Sequence, residues 1–305
     1  MPDATPARPA SAPDRRDEPW TTKRLLDWMA GAFRDRGLDS PRLLAEMLIA
    51  HVLGCERLDL YTRFDRPAEP AELDDLRGLA RRALAHEPVQ YLVGESWFFS
   101  LPFAVDRRVL IPRPATETIL EHLLQHARAT PGFEAPVLAD VCTGSGCVAI
   151  AALKNLPDAR ATAADVSPDA LDVARANADR HGVAERIEFR LGELLEPLSD
   201  RTDLHYLVAN PPYISDDEWT DVEPNVKDHE PHLALRAGHD PLALTRPILE
   251  RGPAHLRPGG LLLIETAAFA ADELLRAARQ HPELTDPKIL DDFEGHPRVL
   301  CAARR

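Results

Sequence analysis

The chain has 305 residues, of which 44% are hydrophobic and 28% are charged; these values are typical of a soluble globular protein. No apolar run reaches the roughly 20 residues that span a bilayer, and the N-terminus lacks the apolar core of a signal peptide, so we predict no membrane partner. The net charge of −14 disfavours direct nucleic-acid binding, which uses basic residues against phosphates, and is compatible with a basic protein partner.

The cysteines and histidines show no metal or disulfide pattern. Cys55, Cys142, Cys147 and Cys301 are scattered without a CxxC pair, which is typical of reduced thiols in the cytoplasm. The 12 histidines are also dispersed and form no HExxH motif. We therefore predict a cytoplasmic protein without a metal site.

The first third of the chain is predicted to be a tail followed by helices. Residues 1–18 are rich in proline and alanine and have nothing to bury, so we expect a disordered tail. Residues 19–92 predict a small helical domain. Ser40 is a candidate cap of its second helix, and Pro41 suits the first helical position. Three segments carry the helical pattern: TTKRLLDWMAGAFRDRG (21–37), SPRLLAEMLIAHVLGC (40–55) and PAELDDLRGLARRALAH (70–86).

After residue 93 the pattern changes to strands. Aromatic and β-branched residues alternate in ESWFFSLPFAVDRRVLIP (95–112), which predicts a β-hairpin. We expect residues 93–114 to link the helical domain to a second domain at 115–305. That domain alternates strands and helices, as in a parallel α/β sheet with crossover helices. Its predicted strands are 137–141, 159–166, 186–191, 204–209 and 260–266, then two final strands in 288–305 around a turn at Gly295.

A glycine-rich turn follows the first of these strands and precedes a helix: Thr143, Gly144, Ser145 and Gly146. Glycine lets a ligand approach the main chain, and open α/β sheets bind ligands beside the carboxyl ends of their strands. No GK[ST] follows, which excludes a P-loop. Ala149 stands at the third glycine position of the dinucleotide-binding motif G-x-G-x-x-G, where alanine is an accepted variant. This loop alone therefore does not exclude a dinucleotide-dependent dehydrogenase.

Acidic residues follow the next two strands. Asp165 ends the second strand roughly 20 residues after Gly144, near the spacing at which an acid binds ribose hydroxyls. Its alternative role is to cap the following helix, although Ser167 already serves that end. After the third strand, Glu193 could accept from an adenine amino group and Leu194 could pack on the ring. Both could equally be solvated loop residues.

The fourth strand ends in Asn210, Pro211, Pro212 and Tyr213. The prolines have a fixed φ and no N–H, and Pro211 biases Asn210 away from helix, so the strand ends sharply. The Asn210 amide then projects from the edge of the sheet with one acceptor and two donors. That pattern complements a planar amide or an aminopurine edge, and Tyr213 supplies a flat face. The alternative is a strand-terminating proline turn.

Together, the glycine loop, Asp165 and Asn-Pro-Pro-Tyr resemble the class I S-adenosylmethionine-dependent methyltransferases that act on planar nitrogens. Three further segments narrow the resemblance to the glutamine methyltransferases of peptide chain release factors, over about Leu25 to Arg304. They are EPVQYLVGESWFFSLPFAVDRRVLIPRPATETIL, DHEPHLALRAGHD and FEGHPRVL.

This resemblance implies a Rossmann-like methyltransferase domain and an N-terminal helical domain that docks the substrate. The enzyme would methylate the side-chain nitrogen of the glutamine in the Gly-Gly-Gln motif of class I release factors. The implied residues for S-adenosylmethionine are Cys142, Thr143, Gly144, Ser145, Gly146, Asp165, Glu193, Leu194 and Asn210. Those for the substrate are Asn210, Pro211, Pro212, Tyr213, Arg113, Thr116 and Glu117. Asn210, Pro211 and Tyr213 would carry catalysis.

The chain departs from the family pattern at a few positions, while the Asn-Pro-Pro-Tyr segment is intact. Cys142 stands where the family usually has the first glycine of the loop, and Ala115 replaces the glutamate of IPRPETE. Pro241 and Ala270 replace a usual glycine and glutamine.

Three other functions stay open at this point. A related enzyme methylates a glutamine of a large-subunit ribosomal protein, and SWFF resembles its segment, whereas PRPATE favours the release-factor branch. Adenine amino-group methyltransferases of DNA or RNA share Asn-Pro-Pro-Tyr. A docking protein that binds the methyl donor without turnover is the non-enzymatic alternative.

Overall fold

The computed structural model describes residues 19–133 and 135–305. The predicted disordered tail, 1–18, lies outside the described residues. The chain divides into two compact units, one up to Val93 and the other from Gly94 to Arg305.

The first unit consists of helices. They are α1 (Thr22–Asp35), α2 (Pro41–Leu53), α3 (Asp59–Thr62), α4 (Pro70–Leu84) and α5 (Val89–Val93). Thr21 caps α1, since its hydroxyl accepts from the Arg24 amide at 3.3 Å. The prediction that Ser40 caps α2 was wrong, because Ser40 has a left-handed backbone and makes no capping bond. Apolar residues on one face of α1 and α2, such as Phe33 and Ile49, are buried together.

The second unit opens with a hairpin of β1 (Glu95–Phe98) and β2 (Leu101–Ala104), which pair antiparallel as the alternation predicted. The remaining strands are β3 (Val137–Val141), β4 (Arg160–Asp165), β5 (Ile187–Leu191), β6 (Leu204–Ala209), β7 (Ile214–Ser215), β8 (Arg236–Gly238), β9 (Leu256–Glu265), β10 (Leu284–Asp291) and β11 (Pro297–Arg304). The remaining α-helices are α6 (Glu117–Ala129), α7 (Cys147–Asn155), α8 (Pro168–Arg180), α9 (Pro224–Lys227), α10 (Thr245–Arg251) and α11 (Ala271–Gln280).

Seven strands form one sheet in the order β10-β11-β9-β6-β3-β4-β5. Strands β5, β4, β3, β6 and β9 run parallel to one another, and β11 is antiparallel to both β9 and β10. The predicted α/β fold and its sheet strands are therefore confirmed, although β9 and β10 begin four residues earlier than predicted. Strands β7 and β8, which form a separate parallel pair, were not predicted.

Both faces of the sheet are covered, because successive residues of β6 enter different cores. Tyr206 and Val208 belong to one buried cluster, whereas Leu207 and Ala209 belong to the other. A strand that is buried on both faces has a continuous apolar sequence, as β6 does. No helix of residues 19–133 and 135–305 has the length and apolarity required for a membrane crossing.

The chain order places a crevice between β3 and β6. From β3 the chain moves outward to β4 and β5, then returns to β6 on the other side of β3. Ligands of open α/β sheets bind outside the carboxyl ends of the strands at such a reversal. The glycine loop after β3 and the Asn-Pro-Pro-Tyr segment after β6 therefore lie at the same crevice.

Candidate active site

A cavity of about 330 Å³ lies at this crevice. Its lining consists mainly of residues that follow four parallel strands and residues that precede α6. Of the residues predicted from the sequence, the lining includes Arg113, Thr116, Cys142, Thr143, Gly144, Ser145, Asp165, Glu193, Leu194, Asn210 and Pro212. Gly146, Pro211, Tyr213 and Glu117 are not in its lining.

The glycine loop owes its shape to left-handed backbone at three positions. Gly144 and Gly146 have φ values of +54° and +79°, and Cys142 has +60°. A Cβ at Gly146 would lie 3.0 Å from Ile150 Cδ1 and 3.2 Å from the Ala174 Cβ, so glycine permits the close packing of the loop against α7 and α8. Cys142 adopts a conformation that favours glycine.

Asp165 joins the loop to the end of β4. One carboxylate oxygen accepts from the Gly144 amide at 2.9 Å, and the other accepts from the Ser167 amide at 3.0 Å. The cap of α8 is Ser167, whose hydroxyl accepts from the Ala170 amide at 3.2 Å, so the capping alternative for Asp165 is not needed. Burial raises the pKa of Asp165, and hydrogen bonds from the Ser167 and Gly144 amides oppose that shift.

Asp140 also lines the cavity and was not selected from the sequence. It is buried in β3, where its carboxylate accepts from the Thr143 hydroxyl at 2.7 Å and from the Ala149 amide at 3.2 Å. Burial raises the pKa of Asp140 to about 7. The available signal was an acid inside an otherwise apolar strand immediately before a glycine loop, since a buried carboxyl needs partners.

Two cysteine thiols adjoin the same loop. Cys142 and Cys147 both line the cavity. Burial raises the pKa of each thiol, that of Cys147 to about 12. Because the thiolate is the reactive form, neither sulfur is set up as a nucleophile.

Asn210 follows β6 and stands at the wall of two cavities. Its amide Nδ2 donates to the Thr116 hydroxyl at 3.3 Å. A second cavity of about 240 Å³ shares Asn210 and Arg113 with the first and is lined by Tyr213. Its other walls are mostly apolar, with Ile214, Val222, Val226 and Leu235. Asn210 therefore borders both a cavity lined by the glycine loop and a cavity with an aromatic wall.

The two prolines and Tyr213 are held firmly after Asn210. Pro211 and Pro212 are buried, and Pro212 lines the first cavity. The Tyr213 hydroxyl donates to Glu265 Oε1 at 3.5 Å. Burial raises the pKa of Tyr213, so its hydroxyl keeps its proton and donates.

Arg113 and Glu117 have different surroundings. Arg113 pairs with the buried carboxylate of Glu230 at 2.5 Å, and that carboxylate also accepts from the Ile111 amide at 3.1 Å. Glu117 was expected at the entrance of the site, but its carboxylate accepts from the Phe99 amide at 2.7 Å. The structure therefore brings Arg113 to both cavities and Glu117 to the β1–β2 turn.

Comparisons with known proteins identify the family of the chain. Family models match at residues 24–94, for the PrmC N-terminal domain, and at residues 113–226, for the methyltransferase small domain. A release factor glutamine methyltransferase of Chlorobaculum tepidum is 42% identical over 293 residues, which cover 93% of this chain and 98% of that protein. One of Rhodopirellula baltica is 36% identical, with 93% and 96% covered.

The chain belongs to the release factor glutamine methyltransferase family. The family predicted from the sequence motifs, and with it the methyltransferase class of enzyme, is confirmed. Among solved structures, the hMettl16 catalytic domain in complex with MAT2A 3′UTR hairpin 1 is 13% identical with a TM-score of 0.50. It covers 66% of this chain and 74% of that chain, and at this identity it supports the methyltransferase fold alone.

The loop carries a cysteine at a position whose backbone favours glycine. Cys142 has a left-handed backbone with a φ of +60°. The cysteine retains the loop path at a cost in conformational strain. The Gly144 amide still reaches Asp165, so the substitution leaves the contact between β3 and β4 in place.

Proposed function

We propose that this methyltransferase transfers a methyl group from S-adenosylmethionine to the side-chain amide nitrogen of the glutamine in the Gly-Gly-Gln motif of class I peptide chain release factors. The observation that carries the proposal is the position of Asn210. It lies in the walls of both cavities, so it can bind an amide in one beside a donor in the other. The printed names of the relatives support the substrate.

The first cavity fits S-adenosylmethionine in size and chemistry. Its volume of about 330 Å³ lies within the range of small-molecule sites. Asp165 offers carboxylate lone pairs to ribose hydroxyls, Glu193 offers an acceptor to the adenine amino group, and Leu194 offers an apolar surface to the ring. Gly144 brings main chain to the cavity without a side chain. When bound, S-adenosylmethionine supplies an electrophilic methyl group on a sulfonium sulfur.

The second cavity and the segment after β6 position the glutamine amide. An amide nitrogen is a poor nucleophile because its lone pair is delocalised into the carbonyl group. Asn210 Oδ1 and the carbonyl oxygen of Pro211 accept the two N–H bonds, which turns the lone pair towards the methyl group. Tyr213 packs against the flat amide. Such positioning lowers a barrier by as much as ~7–11 kcal/mol.

The same acceptors stabilise charge in the transition state. Positive charge develops on the amide nitrogen as it attacks, and carbonyl dipoles that face its hydrogens become more favourable at that moment. Asn210 and Pro211 supply these dipoles from a segment that the prolines hold rigid. The nitrogen releases a proton after transfer, so no dedicated general base is assigned.

The protein substrate and the cellular compartment are part of the proposal. The helical unit, α1–α5, binds the release factor, and the Gly-Gly-Gln loop of the release factor enters the second cavity. A release factor acts during translation, so the reaction takes place in the cytoplasm.

Transfer of labelled methyl groups tests the proposal. The purified protein is incubated with methyl-labelled S-adenosylmethionine and a class I release factor, beside a copy whose Gly-Gly-Gln glutamine is replaced by alanine. We expect label on the first release factor and none on the second. Label on both would refute the residue assignment. Label on neither would refute the substrate, and a large-subunit ribosomal protein is then tested in the same assay.

A further inference from the structure

Two phenylalanine side chains of the second unit are exposed to solvent at the carboxyl edge of the sheet. Phe269 follows β9 and is 60% exposed, and Phe293 lies in the turn between β10 and β11 and is 72% exposed. Among residues 94–133 and 135–305, the only other aromatic side chain of similar exposure is Trp97, in the β1–β2 hairpin. Isolated exposed apolar residues are ordinary, whereas exposed apolar residues that occur together mark interaction sites.

The segments that carry the two phenylalanines are neighbours. β9 and β10 lie on either side of β11, which is antiparallel to both, so their carboxyl ends share one edge and their axes are about 10 Å apart. The Thr266 amide donates to the Arg298 carbonyl at 2.9 Å, and Arg298 Nε donates to the Asp292 carboxylate at 3.3 Å. Arg298 therefore connects the segment after β9 to the turn after β10.

Hydrogen bonds hold the turn that carries Phe293. Asp292 is buried, and its Oδ1 accepts from the amides of Glu294 and His296, each at 3.0 Å. The Asp292 amide also donates to the His296 carbonyl at 2.9 Å. Phe269 likewise lies in a short 3₁₀ helix that leads directly into α11. Because both side chains stand on ordered backbone, their burial by a partner costs little backbone entropy.

This edge of the sheet is continuous with the second cavity. Glu265, the last residue of β9, accepts from the Tyr213 hydroxyl at 3.5 Å, and Tyr213 lines that cavity. Phe269 follows Glu265 by four residues. A protein that inserts a side chain into the second cavity is therefore brought next to the segments of Phe269 and Phe293.

Acidic side chains surround the two phenylalanines. Arg246 pairs with one of these carboxylates, that of Glu273, at 2.6 Å. Such a rim repels nucleic-acid phosphates and favours a basic protein partner. A two-fold contact between copies of this chain would place the rim against itself, whereas a release factor works against ribosomal RNA, whose phosphates favour basic surfaces. The exposed acidic residues within four positions of Phe269 or Phe293 are Asp272, Glu273, Asp291 and Glu294.

We propose that Phe269 and Phe293 form an aromatic anchor that binds the release factor beside its Gly-Gly-Gln loop. The inference rests on the proposed function and assigns part of the recognition of the protein substrate to the second unit. The anchor enters an apolar recess of the release factor, and the carboxyl groups around it meet basic side chains. A few buried aromatic residues inside a polar rim supply most of the binding energy of a protein interface.

Alanine variants of the anchor test the inference in the labelled-methyl assay. We expect Phe269→Ala and Phe293→Ala each to raise KM for the release factor about 5- to 30-fold. The kcat and the affinity for S-adenosylmethionine are expected to stay within about twofold of the parent, because the lost contacts are the same in the ground and transition states. Calorimetry with S-adenosylhomocysteine present measures the affinity for the release factor directly. Trp97→Ala, which removes an exposed aromatic side chain of the hairpin, is the matched control and is expected to leave KM unchanged.

A variant of the rim tests the charge of the partner. Asp291→Asn combined with Glu294→Gln is expected to slow association with the release factor at low salt. The difference from the parent should disappear at about 1 M salt, where the charges are screened. An association rate that is unchanged at low salt would overturn the basic rim of the partner.

Unchanged KM and unchanged release-factor affinity in Phe269→Ala and Phe293→Ala would overturn the inference, as would an equal loss in Trp97→Ala. Both side chains are exposed, so urea denaturation is expected to show parental stability, and either variant alone decides the matter. A parent that sediments as a dimer, with a monomeric Phe293→Ala of unchanged KM, would assign the anchor to a second copy instead. No transfer by the unsubstituted protein would refute the proposed function, whereas transfer with unchanged constants in the variants refutes this inference alone.

Discussion

The backbone amide of Gly144 donates to the Asp165 carboxylate at 2.9 Å, and this bond joins the loop after β3 to the end of β4. It orients one oxygen of Asp165 and leaves further lone pairs on a carboxylate that lines the larger cavity. The acid is therefore held in place before any ligand binds. Such preorganisation reduces the entropy lost on binding.

We expect Asp165→Asn to bind S-adenosylmethionine at least about tenfold more weakly, because a hydrogen bond to a charged group is worth ~1.5–3 kcal/mol. The asparagine oxygen can still accept from Gly144, so the loop is kept. Calorimetric titration measures the affinity. Asp158→Asn, at an exposed position before β4, is the matched control and is expected to bind as the parent does. Equal affinities in the two variants would contradict a role for Asp165 in binding.

Asn210→Ala is expected to lower methyl transfer by at least about 100-fold, since it removes an acceptor that acts on charge developing in the transition state. Binding of S-adenosylmethionine should survive, because the glycine loop and Asp165 remain. Labelled-methyl transfer and calorimetry measure the two properties separately. Asn155→Ala at the end of α7, where the side chain donates to the Ala151 carbonyl, serves as the control. Full activity in Asn210→Ala would refute the assignment.

The raised pKa of Asp140 predicts that the free energy of unfolding depends on pH. Its pKa is raised from 3.8 to about 7 in the folded protein, so the folded state favours the neutral acid. The stability that this preference contributes is present below about pH 4 and is lost as the pH rises to about 7. Asp140→Asn stays neutral, and its free energy of unfolding should therefore rise relative to the parent across this range, by up to about 1.4 kcal/mol per pH unit.

Urea denaturation of both proteins at several pH values between 4 and 8 measures that difference. A difference that does not change with pH would show that the Asp140 carboxyl titrates alike in the folded and unfolded chains.

The left-handed backbone of Cys142 predicts that its alanine and glycine variants differ in stability. Its φ of +60° costs a side-chain-bearing residue about 1–2 kcal/mol. Cys142→Ala keeps that strain, whereas Cys142→Gly removes it. Both lose the same thiol, so we expect the glycine variant to be more stable than the alanine variant by about 1 kcal/mol in chemical denaturation. An alanine variant of equal or greater stability would contradict the strain.

The local pattern was sufficient to place most elements of the sheet. β6 is continuously apolar and ends at two prolines, so both its burial and its last residue followed from composition and backbone chemistry. Strands β7 and β8 were missed because each has only two or three residues, too few for a periodic pattern. Ser40 was misassigned because a capping residue type does not by itself determine φ.

Some residues of the site could likewise be predicted from the sequence, and others could not. The glycine loop, Asp165 and Asn210 could be predicted, since each stands at the carboxyl end of a strand. Glu117 and Glu265 could not be placed in this manner, because their contacts depend on which backbone or hydroxyl group meets them. Glu117 is near Arg113 in sequence, yet it bonds to Phe99, while Arg113 bonds to Glu230, 117 residues away.

The amino-acid sequence by itself determined the family, the α/β class and the strand ends that line the larger cavity, because backbone preferences and motif spacing are local properties. Only the tertiary structure decided that Asn210 meets Thr116 and that Tyr213 meets Glu265. The return of the chain from β5 to β6 brings these distant residues to one edge of the sheet.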